Sequence, residues 1–456
     1  MELTARCAEF ASTLAWKDLP DRAAQIVARS FADCIGVLLA GSSHPAVEKL
    51  WGVLGSSGQI DVLLGRHRAP ADIAALVNST AAHVLDFDDA ALEGHVSAVL
   101  VPVILASAEE TGASGKDMVA AYVAGFELWA ELLARDADRH HVKGFHPTGI
   151  FGPIAAAAAA CNLMRLDAGT TATALSIAAS SAAGLVANFG TMTKSLHAGR
   201  AAQAGIQAAR LARAGFDAAA DALESPQGFL RAFSPSGRVD LERPCRLGEA
   251  WAITSLGPSL KLYPVCYAGH RIVDAALDVR GRLAAPLEEV ARIVARVGRA
   301  QAVILSKTAP RQVSEARFSA DFVVAAALVA GRVSLVELDE AFLPRPDLRA
   351  LMRRVELHPT DERDPDEPLF APADTVTLHL ADGTTVEGAP VRHARGHPLN
   401  PVSDELLREK FLHCAAGRLD AAAARRLFDR LLALPEMAGV ADIHAAARSS
   451  SDRICD

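Results

Sequence analysis

Four short stretches concentrate side chains that can move protons or hold anions. "HVLDFDDAALEGH", His83 to His95, sets Asp86, Asp88, Asp89 and Glu93 within eight residues. Carboxylates this close either hold a divalent metal or orient a base such as His95. "RHHVKGFHPTGIFGP" (139–153) places His146 directly before Pro147, in a loop that leads into a helix. "GTMTKSLHAG" (190–199) ends a 26-residue run, Ala168–Thr193, without Asp, Glu, Lys, Arg or His. Lys194 and His197 then follow one helical turn apart, with Arg200 a turn further on. A lysine buried among small residues shifts toward the range of a general base. "KLYPVCYAGHRIVDA" (261–275) adds Lys261 before a Tyr-Pro break and His270 at the start of a helix. Each has a plainer reading as a helix cap, a turn histidine or a surface charge.

Composition narrows the chemistry. The D-x-D-D pattern in a helical protein would suit Mg²⁺-dependent terpene cyclisation, but carbocations need aromatic walls. Among 456 residues there are 4 Trp, 3 Tyr and 16 Phe. His140, His141 and His146 lack the i,i+4 pair of a helical zinc site. The seven cysteines are scattered, with no C-x-x-C, which argues against a disulfide framework or an iron–sulfur cluster and fits a reducing cytoplasm. Net charge is −8 without a Lys/Arg block, so neither nucleic acid nor an anionic membrane is the expected partner. The N-terminal "MELTARCAEFASTL" has no apolar signal core. The uncharged run 168–193 is too rich in Ser, Thr and Gly for a membrane span and reads as a buried helix.

These residues need a scaffold, and 456 residues suggest two or three domains at about 150 each. The first half reads as consecutive helices: 21–39, 102–110, 116–133, one opened by Pro153, and one after His197. In the last, small residues from Ala198 to Ala212 recur every three or four positions, which lets helices approach closely. Beyond about 269 the texture changes. Strands are predicted at 290–297 and 353–359, with a hairpin at 374–388 turning on Asp382–Gly383. Helices are predicted at 320–332 and 346–354, and 361–374 is an acidic, Pro-rich loop. A last helical stretch starts at 400 with Ser403 or Asp404 as cap, and Ser449–Ser451 begins a frayed tail. The expectation is a mainly α protein. An all-helical domain spans 1–265 and 400–456, and a smaller α+β lid domain spans 266–399. No internal repeat is evident.

Together, "LDFDDA…H", "GFHPTGIFGP", "KSLHAGRAAQAG", "KLYPVCYAGH", "SEARFSADFVVAAAL" and "GHPLNPVSDELLREKF" follow the order seen in the MmgE/PrpD family. That family includes 2-methylcitrate dehydratase, cis-aconitate decarboxylase and iminodisuccinate epimerase. The resemblance covers nearly the whole chain. It implies a helical domain with an α+β lid, a homodimer, and no metal or organic cofactor. It places active-site positions on Asp86, His95, His146, Lys194 and His270, with Lys261 as a carboxylate binder. His197 and Arg200 are added as substrate-binding candidates. Ala90 stands where the decarboxylase pattern has Thr, and Phe322 where it has Tyr. The stretch from Asp86 to His95 is one residue shorter, and Val96 replaces a usual proline. The lost hydroxyls argue against strict cis-aconitate decarboxylation.

The family's reactions make or break a C–H bond beside a carboxylate, which takes a base and a cation for the developing charge. Three histidines, two lysines and an aspartate suit a small anionic polycarboxylate. The site is expected where the two domains meet. The sequence therefore points to a cytoplasmic, metal-independent lyase, a 2-methylcitrate dehydratase-like hydro-lyase. The alternatives are an epimerase, a cis-aconitate-like decarboxylase and, outside the family, a non-catalytic helical binding protein.

Overall fold

The computed structural model describes residues 2–448, so the tail expected from Ser449 lies outside the described residues. The chain divides into two compact units, 1–258 with 403–456, and 259–402.

The first unit is built from helices whose small residues let backbones meet. Its longest helix, Met192–Arg213, packs on Pro147–Leu163 and on Ala71–His83. The expected small-residue stripe is the contact: Ala198, Ala201, Ala202, Gly205, Ala208, Ala209 and Ala212 are buried. A Cβ on Gly205 would lie 2.3 Å from the Cβ of Ala156, so only glycine fits that crossing. The helix Asp404–Ala415 returns to this unit and packs on Ala23–Gly41. Ser403 caps it by accepting from the Leu406 amide at 3.2 Å.

Four expectations for this unit need correction. It is not wholly helical: Ile60–Val62 and His67–Ala69 form a short antiparallel hairpin. Pro102 does not open its helix, which runs Val96–Thr111 and carries the proline inside. Pro153 is likewise internal to Pro147–Leu163, which Pro147 opens. The uncharged run is not one buried helix. Ala168–Ala179 is helical; the chain then turns through Gly184 and Gly190, both at positive φ, before the next helix begins at Met192.

The second unit is a four-stranded mixed sheet with helices. Strand Val290–Gly298 pairs in parallel with Val355–Thr360 and antiparallel with Thr375–Leu380, which pairs in turn with Thr385–Glu387. The parallel pair needs a crossover, and Ala320–Ala330 and Pro346–Met352 lie on it. Val376, Leu378 and Leu380 alternate inward and join Ile293, Ala295 and Val297 in the core, with Ile272, Val323 and Phe322 from the helices. The hairpin turns at Gly383, φ +90°, as its Asp-Gly pair requires.

Candidate active site

The acidic stretch is a loop between two helix ends. His83 is the last residue of Ala71–His83, and His95 is the N-cap of Val96–Thr111. Between them the backbone turns back on itself. Ala91 and Gly94 exchange backbone hydrogen bonds of 3.0 and 2.8 Å, and Trp129 Nε1 donates to the Leu92 carbonyl at 3.1 Å. A Cβ on Gly94 would meet that indole at 2.6 Å. Asp86, Leu92 and Glu93 adopt left-handed φ values of 53°, 51° and 60°.

This fold brings both histidines onto one carboxylate. Asp88, fully buried, lies 3.0 and 3.2 Å from His83 Nδ1 and 2.9 Å from His95 Nδ1. Burial would raise the Asp88 pKa, but the two imidazoles bonded to it hold the carboxyl well below the usual range. An ionised carboxylate accepts only, so each ring gives it Nδ1–H and keeps its lone pair on Nε2. Asp89 has a different task. It accepts from the Ser97 amide at 3.3 Å and from the Ser97 hydroxyl, capping the helix, and burial pushes its pKa up to about 7.

Lys194 reaches the same loop from the first turn of its helix. Its Nζ donates to Asp86 Oδ2 at 2.9 Å, and Asp86 Oδ1 lies 4.0 Å from His95 Nε2. Lysine and aspartate are 8% and 5% exposed, so the ion pair is nearly dry. Phe189 supports it, its ring centroid 5.4 Å from the Lys194 nitrogen.

His146 is the N-cap before Pro147 and is buried. Its amide donates to Gly184 O at 3.0 Å, and its Nδ1 lies 3.1 Å from His197 Nδ1. Gly184 is needed twice: its φ is +135°, and a Cβ there would sit 3.2 Å from the His197 ring. Desolvation, then the Lys194 charge, lowers the His146 pKa well below the ordinary imidazole value. Desolvation first, with His83 and Lys194 adding to it, puts His197 at about 4. His83 is also lowered, by burial first, against the pull of Asp88. A lowered pKa keeps each ring neutral to more acidic pH and makes it a weaker base than a free imidazole.

Thus Asp86, His95, His146, Lys194 and His197 gather around one loop and one helix start. Arg200 does not join them. It is exposed and bonds Gln203 of its own helix at 2.8 Å, six positions or about 240° round the helix from Lys194. Lys261 and His270 belong to the second unit, both with fully buried side chains. His270 opens the helix His270–Arg282, its Nε2 3.3 Å from Val265 O and its ring flanked by Tyr263 and Tyr267 at 5.1 and 5.2 Å. Sequence reasoning passed over His83, the bridging role of Asp88, and Phe189. A histidine on each side of D-x-D-D was the available signal for the first two.

The N-terminal domain of the MmgE/PrpD family matches residues 5–242, and its C-terminal domain matches 263–434. The chain belongs to the MmgE/PrpD family. It is 32% identical to human cis-aconitate decarboxylase, over 86% of this chain and 83% of that protein. It is 31% identical to the mouse enzyme, over 84% and 80%. It is 28% identical to a fungal alkylcitrate dehydratase over 51% of this chain and 48% of that one. Like these family members, it is an enzyme of the lyase class.

Proposed function

We propose that the protein is a cofactor-independent hydro-lyase acting on a citrate-derived tricarboxylate. Of the two histidines on Asp88, His83 is sealed at 0% side-chain exposure, whereas His95 is 13% exposed. His95 is therefore the base that takes the proton from the carbon beside a carboxylate, through Nε2. Asp88 stabilises the imidazolium that forms. Lys194 faces the negative charge that builds on the carboxylate, in a site that excludes most water. His95 then returns that proton to the leaving hydroxyl, which departs as water, while the neutral His146–His197 pair, Nδ1 atoms 3.1 Å apart, hydrogen-bonds it.

One observation carries the choice of elimination: burial holds His146 and His197 neutral, so the pair brings no extra proton, and elimination needs none because His95 hands back the one it took. Decarboxylation instead needs a proton donor for the carbon that loses CO₂. The mammalian relatives, named cis-aconitate decarboxylases, favour that second reading. NMR of the chelator-treated protein in D₂O with 2-methylcitrate, citrate and cis-aconitate separates the two. A new alkene resonance from a hydroxy acid supports the hydro-lyase. Loss of a carboxyl from cis-aconitate, with no elimination from any hydroxy acid, overturns it. Solvent exchange without a new product would indicate epimerisation.

A further inference from the structure

Three imidazoles converge in the first unit. His83, His95 and His146 each bring one ring nitrogen within 4.8 Å of the others'. Their ring centroids are 4.2, 6.0 and 6.2 Å apart. Zinc–imidazole bonds of about 2.0–2.1 Å in tetrahedral array put ring centroids about 5 Å apart, in the middle of that range. We infer that His83, His95 and His146 form a site for a divalent transition metal of the zinc type, and that a metal there silences the enzyme.

Three features support it independently of the spacing. His83 Nε2 is fully buried and has no hydrogen-bond partner among the described residues, in a side chain 0% exposed. A buried lone pair left over is costly unless something fills it. Asp88 accepts from Nδ1 of both His83 and His95, the carboxylate–histidine arrangement that fixes the ligand tautomer in metal sites. The set is also neutral nitrogen, which suits Zn²⁺, Co²⁺ or Cu²⁺ and not Mg²⁺. Lys194 opposes a cation, but it is paired to Asp86, and Asp88 adds a second carboxylate. The inhibitory half rests on the proposed function, because a metal would occupy the Nε2 lone pair that His95 uses as base. The binding half does not depend on it.

Glu367, His393 and His397 of the second unit form another three-ligand group. There Arg271 bonds Glu367, and the His393 and His397 rings stack nearly parallel at 17°, which suits a shared metal poorly. It supplies the control. The full-length protein is stripped with EDTA and titrated with Co²⁺ in the absence of substrate, reading the visible d–d absorption and the Co²⁺ retained per chain after gel filtration. The expected result is one Co²⁺ per chain, displaced by Zn²⁺, lost in His146→Ala and kept in His393→Ala. Asp88→Asn should weaken it by about 10–100-fold. No retained Co²⁺ in the wild type overturns the proposal without any variant having to fold. So does binding that survives His146→Ala and disappears in His393→Ala. Since no turnover is read, a wrong reading of the reaction cannot mimic either result. Zn²⁺ inhibition reversed by EDTA then tests the regulatory half.

Discussion

Replacing Asp88 by Asn tests how the site works with the smallest change of shape. The carboxylate takes Nδ1–H from two rings, at 3.0 Å from His83 and 2.9 Å from His95. An amide can accept from one ring, but its NH₂ must donate to the other. That second imidazole then carries its proton on Nε2 and has no lone pair to offer as a base. If the flipped ring is His95, the base is lost. If it is His83, His95 still loses the negative charge that stabilises its imidazolium. Removing the orienting carboxylate of a histidine base, or the base itself, costs about 10²–10⁴ in rate.

The buried position adds a stability effect that must be separated. Both residues have the same shape, so the change removes one buried charge without opening a cavity. Steady-state kcat and KM on the substrate identified by NMR, with a urea melt of the same sample, make the assay. A large fall in kcat with little change in KM is expected. An unchanged kcat in a folded Asp88→Asn protein would show that the Asp88 bridge only packs the loop, and the assignment of His95 as base would fall with it.

Other outcomes follow from the same geometry. Lys194→Ala should lower kcat by about 10²–10⁴, whereas Arg200→Ala, exposed and bonded to Gln203 away from the cluster, should leave kcat and KM nearly unchanged; equal kcat for wild type and Lys194→Ala would sink the role given to the ion pair. Ring-¹⁵N NMR of the free enzyme should find His146 and His197 neutral at pH 6, because a lowered pKa moves protonation to more acidic pH, near 4 for His197; imidazolium signals from either at pH 6 would contradict the electrostatics described. Gly205→Ala should destabilise by about 1–3 kcal/mol through overpacking on Ala156, while Gly281→Ala, exposed in a helix with open space around it, should stabilise by about 0.5 kcal/mol; thermal melts compare them.

Much of the fold was legible because its signals are local. Asp-Gly between alternating residues set the 374–388 hairpin, and helical periodicity placed 116–133 one residue inside the observed Gly115–Leu133. Prolines misled, since Pro102 and Pro153 look like helix openers. Each helix is in fact begun upstream by tertiary partners: Asp89 on the Ser97 amide, and Pro147 after His146, which is anchored to Gly184. In the site, the acidic cluster, His95, His146 and Lys194 stood out by type and setting, and the family resemblance singled out Asp86. His83 did not, because a histidine ending an apolar helix looks like core until Asp88 is seen folding back onto it. The break in the 168–193 run was hidden for a similar reason. Small uncharged residues suit a buried helix and a glycine turn equally well.

The loop that carries Asp86 and Asp88 is strained, and the strain explains a distant part of the chain. Left-handed conformations at Asp86, Leu92 and Glu93 cost about 1–2 kcal/mol each, so the surroundings must hold them. Trp129 holds Leu92, Lys194 holds Asp86, and Lys410 holds the residue between the two aspartates. Lys410, from the returning helix Asp404–Ala415, donates to the Phe87 carbonyl at 2.8 Å and to buried Asp33 at 2.5 Å. Lys410→Met should therefore do two things. It removes one partner of a buried ion pair, which costs about 3–5 kcal/mol. It also frees the Phe87 carbonyl, which loosens Asp86 and Asp88 and lowers kcat. Adding Asp33→Asn separates the effects, because the double variant no longer buries a lone carboxylate yet still lacks the donor to Phe87. A urea melt should show most of the stability restored in the double variant while kcat stays low. Recovery of both together would mean that Lys410 serves the fold alone, and that the C-terminal helix has no part in setting the geometry of the acidic loop.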